Sequence, residues 1–159
     1  AHMTTHLDST YLQRLPIPQF IALKTENSLK KERKIIGNLG ILISFLSKFG
    51  SKKYKEIILN FHNTIIDTIF YELFFPSIFS RREFSQKLNE RLEKNTLIEL
   101  SKIIINEKEI TVGQEQEIID LILNIIQSLL KDKSLRECEK QIKSHKIIKQ
   151  IEKEMQKYF

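Results

Sequence analysis

The chain has 159 residues, 41% hydrophobic, which is enough to bury a real core in one domain. Only four Gly and three Pro stand beside abundant Ile, Leu, Lys and Glu, a balance that disfavours a many-turned β fold and points to long helices. One cysteine, Cys138, excludes an intrachain disulfide framework and a cysteine-based zinc site, so a reducing cytoplasm is the simplest setting. The net charge of +6 is unevenly placed: residues 24–55 hold nine Lys or Arg against two Glu, and the remainder is a mixed-charge body.

Ala1, His2 and Met3 read as a cloning scar. Residues 4–20, "TTHLDSTYLQRLPIPQF", contain Pro16 and Pro18, each of which forces extended geometry on the residue before it. This stretch is expected to be an extended linker or an edge strand from a preceding domain. Residues 21–159 then form a helical C-terminal domain.

From about Asn27 the spacing of Ile35, Ile36, Leu39, Leu42, Ile43 and Leu46 predicts a first helix, stopped at Gly50. That apolar run is interrupted by Gly37, Asn38 and Gly40 and is too short to span a bilayer. Ser51 can cap a second helix over 52–74, whose apolar stripe is wide enough to face two neighbours. The short link predicts a long antiparallel hairpin, so residues 21–79 form a basic and aromatic unit. Pro76 ends it. Over 80–159 smaller helices follow: a Ser80/Glu83 capping box opens one to about Lys94, and another covers 96–106. A turn at 111–113 precedes a strongly amphipathic helix over 114–131. A Ser134/Glu137 capping box opens a helix to about Ser144, and a last one covers 146–157. The expectation is all-α, six or seven helices, with no visible repeat of fixed period.

Chemistry-bearing patterns are sparse. "GNLG" at 37–40 lies inside a helical period with no strand before it and no P-loop lysine after it, so its glycines are expected to serve close helix packing. His62 and His145 are far apart and lack ligand-spaced partners. Glu32-Arg33-Lys34 has nuclease-like spacing but sits in a lysine-rich helix rather than on a strand. No nucleophile stands beside an evident base. No catalytic or metal-binding residue is therefore assigned. Lys30, Lys31, Arg33, Lys34, Lys52 and Lys53 could neutralise phosphates, and few aromatics accompany them for stacking on single strands. Asp67 is placed one turn from Asn63 and Tyr71, which are expected to satisfy its carboxylate.

"YLQRLPIPQF", then "ILISFLSKF", then "FHNTIIDTIFYELFFPSIF" resembles the C-terminal part of type IIG restriction–modification enzymes, single-chain DNA methyltransferase–endonucleases with a TaqI-like specificity region. The later "SHKIIKQIEKE" is similar to that family's closing phrase. Ile65, Ile66, Asp67, Tyr71, Glu72, Leu73, Phe75 and Pro76 stand at the positions of its hydrophobic phrase. The resemblance implies a packing signature at Asp67, Tyr71, Glu72, Phe75 and Pro76, and a parent that modifies adenine with S-adenosylmethionine. The motifs for that chemistry are not in this chain, so no cofactor is assigned to it. The implied partners are the remaining domains of the parent and double-stranded DNA. The alternative is a helical interaction or dimerisation module whose partner is another protein or a second copy of the chain.

Overall fold

Leu39, Leu42 and Leu46 recur at spacings of three and four, and all three are fully buried on one side of helix α1 (Lys30–Phe49). Glu32 in its first turn and Lys48 in its last complement the helix dipole. The computed structural model describes residues 30–49, 52–93, 100, 103–104 and 111–158. The linker expected at 4–20, the cap at Ser51 and most of the helix expected at 96–106 lie outside these residues.

A 3₁₀ turn (Lys52–Tyr54) leads into α2 (Lys55–Phe61), which runs through a π-helical segment (His62–Ile66) into α3 (Asp67–Phe74). Then come α4 (Glu83–Glu93), α5 (Val112–Lys131), α6 (Lys133–Ser144) and α7 (Lys146–Gln156). The described residues are all helix and connection, with no strand. None of their helices is long and apolar enough to cross a membrane.

The first helix packs against α2 as expected of a hairpin, but also against α4 and α5. The reason lies in its apolar face, which is wider than one partner can cover: Ile35, Leu39, Leu42, Ile43, Phe45 and Leu46 are all buried. α6 touches α3, α4, α5 and α7, and joins the two parts of the chain. One core therefore crosses residue 80, with Phe61, Ile65 and Ile69 on one side and Phe84, Leu88, Ile122, Ile126 and Ile148 on the other. Each of these side chains gains about 1.5–3 kcal/mol from burial.

Several expected helix starts are corrected. α4 begins at Glu83, so Ser80 is exposed in the preceding turn and cannot cap it. α6 begins at Lys133, and its cap is Asp132, whose carboxylate accepts from the Leu135 N–H at 3.0 Å, rather than Ser134. α5 starts two residues before the expected 114, because Thr111 and Gln114 form a reciprocal capping box and Gly113 falls inside the first turn. Gly37 and Gly40 do not serve close packing: a Cβ added at either meets nothing within 4 Å.

Candidate functional site

The basic residues singled out by the sequence form two groups. Lys30, Arg33 and Lys34 are exposed in the first turns of α1. Lys52 and Lys53 are exposed in the 3₁₀ turn that follows its other end. Twenty residues of helix, roughly 30 Å, separate the groups. Lys31 lies on α1, and its side chain is outside the described residues. The Lys53 ammonium sits 5.7 Å from the centre of the Tyr54 ring. Glu32 points the other way. It is buried and its Oε1 accepts from Arg82 at 3.2 Å, so the Glu32-Arg33-Lys34 triplet does not converge on one point.

The signature residues knit helices together. Glu72 lies in the last turn of α3 and is only 2% exposed. Its Oε2 accepts from the Phe84 N–H at 2.8 Å, and its Oε1 from the Ser85 N–H at 3.0 Å and the Ser85 hydroxyl at 2.7 Å. The orphan donors that open α4 are thus satisfied by a carboxylate from another helix. Burial raises the Glu72 pKa, and these three donors offset only part of that rise. Arg82, just before α4, has φ of 48°, the left-handed turn that swings α4 back onto Glu72. Phe75 ends α3, and its carbonyl accepts from Ile78 and Phe79 N–H groups in the turn that Pro76 begins.

A cavity of about 260 Å³ opens beside this junction, lined by Glu72, Phe79, Arg81, Arg82, Cys138 and Gln141 among others. Cys138 is a buried free thiol, and burial pushes its pKa up to about 11, away from the range of reactive thiols.

Two side chains hydrogen-bond main-chain carbonyls of the π-helical segment. Lys143 of α6 donates to the Asn63 carbonyl at 2.7 Å while pairing with Glu139 at 2.8 Å. The Thr68 hydroxyl donates to the Thr64 carbonyl at 2.7 Å. The expected partners of Asp67 do not form. Tyr71 donates its hydroxyl to Glu152 of α7 at 3.3 Å, and no described residue hydrogen-bonds the half-buried Asp67 carboxylate. Its geometry gives it Lys143 and His62 as neighbouring charges; burial, reinforced by Glu152, nevertheless leaves its pKa raised. His62 is exposed. His145 caps α7, accepting from the Ile147 N–H at 3.2 Å, with its ring edge-on to Phe79 at 5.8 Å.

Among the described residues no group of three or more His, Cys, Asp or Glu is placed to hold a metal ion. Sequence reasoning placed α6 and α7 but passed over their charge: residues 131–157 carry nine Lys or Arg against five Asp or Glu. That excess was legible in the sequence, but the fates of the acids were not. No family model, no curated protein and no solved structure matches the chain.

Proposed function

We propose that the chain is a non-catalytic helical C-terminal domain of a type IIG-like restriction enzyme and DNA methyltransferase. It supports target recognition by holding neighbouring domains of its parent in place and touches the DNA backbone. The observation that carries this role is how the signature residues are used: Glu72 fastens α3 to α4 and Tyr71 fastens α3 to α7. The Glu72 carboxylate and the Tyr71 hydroxyl are thus used in packing, while Lys30, Arg33, Lys34, Lys52 and Lys53 are exposed. Phosphate contacts of that kind position a protein without specifying sequence. Gly37 and Gly40 lie in the middle of α1 rather than on a loop that could approach a nucleotide.

The test is a fluorescence-anisotropy titration of the chain onto a short DNA duplex at low and at physiological salt. Binding that weakens steeply with salt supports the backbone-contact role. No binding at low salt removes it and leaves only the protein-holding role.

One observation favours the alternative, a helical interaction or dimerisation module. Phe70 and Phe74 lie half-buried on α3 with ring centres 6.1 Å apart, outside the set of side chains that pack against the core. A concentration-dependent dimer in analytical ultracentrifugation, dissolved by Phe74→Glu, would favour that role over DNA contact.

A further inference from the structure

We infer that the principal phosphate-binding face of this chain is the outer surface of α6 and α7, and that its ligand is the backbone of duplex DNA. This rests on the DNA-contact role proposed above and moves its centre away from α1. Contrary to the expectation of no repeat, these two helices match one another thirteen residues apart: caps Asp132 and His145, buried Leu135 and Ile148, acids Glu139 and Glu152. The cations follow the same offset, Lys133, Arg136 and Lys140 on α6 and Lys146, Lys149 and Lys153 on α7. At 100° per residue each trio spans roughly 60° of arc, opposite the buried Leu135 and Ile142 of α6 and Ile148 of α7. All six are exposed.

What makes this face positive is the fate of its acids. Asp132 pairs with Arg91 at 2.9 Å, Glu139 with Lys143, and Glu154 with Lys157 at 3.0 Å, while Glu152 accepts from Tyr71. Only Glu137 stays exposed without a partner among the described residues. The six outward cations have no ion-pair partner among those residues either. Folding therefore gives four of the five acids of this segment a partner and leaves six of its cations exposed without an ion-pair partner among the described residues.

The form of the surface selects the ligand class. Each trio extends over roughly 10 Å of helix, against about one phosphate per 3.4 Å of duplex axis on each strand, so a helix laid along the axis sets three cations against about three phosphates. No aromatic residue interleaves the six cations, which disfavours stacking on a single strand. Insertion into an anionic membrane needs an apolar face, and Leu135, Ile142, Ile147, Ile148 and Ile151 are already packed in the core, which leaves Met155 as the one exposed large apolar side chain of the two helices.

The test compares duplex binding by the wild-type chain, by a Lys140→Glu, Lys146→Glu, Lys149→Glu, Lys153→Glu variant, and by a Lys30→Glu, Lys34→Glu, Lys52→Glu variant. Thermal melting followed by circular dichroism checks the fold, and a Lys→Gln quartet serves if the Glu quartet unfolds. We expect the α6–α7 quartet to lose at least about 100-fold in affinity at 50 mM salt, and its log-log salt slope to shrink by about 3.6. The α1 variant should lose less than about tenfold. A quartet with wild-type affinity, beside an α1 variant that has lost binding, overturns this inference and keeps the DNA-contact role. A wild-type chain that does not bind DNA at 50 mM salt overturns both. Tighter binding to an RNA duplex or to anionic phosphatidylserine vesicles than to DNA overturns the choice of ligand.

Discussion

The carboxylate of Glu72, in the last turn of α3, accepts hydrogen bonds from both the N–H and the hydroxyl of Ser85 in the first turn of α4. A helix normally draws its cap from the residue just before it, but Arg82 stands there in a left-handed conformation, and a residue ten positions earlier does the work instead. Replacing Glu72 with Ala leaves two N–H groups and a hydroxyl unpaired in a buried place. We expect a loss of about 2–4 kcal/mol, read as a lowered urea midpoint. Glu83→Gln, on an exposed neighbour, should leave the midpoint within about 0.5 kcal/mol of wild type.

Gly37 and Gly40 offer the opposite kind of change. Both are exposed or half-open positions inside a continuous helix, neither has a positive φ, and an added methyl meets nothing within 4 Å. Ala at such a site removes the backbone entropy cost of glycine without a clash. Gly37→Ala and Gly40→Ala should each stabilise by about 0.5–1 kcal/mol in urea unfolding, and nearly additively in the double variant. Destabilisation would mean that some interaction of this face depends on the missing side chains.

The all-helical architecture was legible in the sequence because the apolar periods of 35–46 and 118–129 have only one solution in helix geometry. Thr111 and Gln114 were legible too, as a T-x-x-Q box, although the nearby Gly113 argued for a turn. Ser80 and Ser134 misled because a local S-x-x-E pattern competes with any acceptor that tertiary structure brings in. At Glu83 the winner is Glu72, and at Lys133 it is the adjacent Asp132, which Arg91 also holds. Of the candidate site, the exposed cations of α1 could be read directly. Which acids are neutralised within the fold depends on pairs such as Tyr71 and Glu152, 81 residues apart, and no local pattern encodes them.

Asp67 and Asp132 should respond to pH with opposite sign. Burial holds the Asp67 pKa above its ordinary 3.8, so the folded state binds its proton more tightly than the unfolded chain. The stability this contributes is complete below 3.8 and is lost as pH rises through the higher folded value. Asp67→Asn should therefore stabilise at pH 7, with the gain vanishing in acid. Burial also raises Asp132, but the Leu135 N–H and Arg91 outweigh it and leave the pKa lowered. Its contribution is present above 3.8 and disappears as pH falls through the depressed folded value. Asp132→Asn should thus destabilise at pH 7 and converge on wild type in strong acid. Urea midpoints measured from pH 2 to pH 8 separate the two; parallel profiles for both variants would contradict the assigned shifts.

The π-helical turn at His62–Ile66 depends on a contact from outside its own helix. Widening from four-residue to five-residue bonding, seen in the Asp67 N–H reaching back to the His62 carbonyl, leaves Asn63 to find a donor elsewhere. Lys143 supplies it at 2.7 Å, from the same ammonium that pairs with Glu139. Lys143→Met keeps the length and apolar stem of the side chain while deleting both interactions. We expect a loss of about 1 kcal/mol in global stability, because the Asn63 side chain is exposed and water can approach its carbonyl. The sharper readout is local. Amide hydrogen exchange should accelerate by tenfold or so at residues 66–68 while the N–H groups of α1 keep their protection relative to the new global stability. Uniform acceleration across the molecule would mean that Lys143 stabilises only the α6 surface, and that the π turn holds itself open through the Thr68 hydroxyl alone.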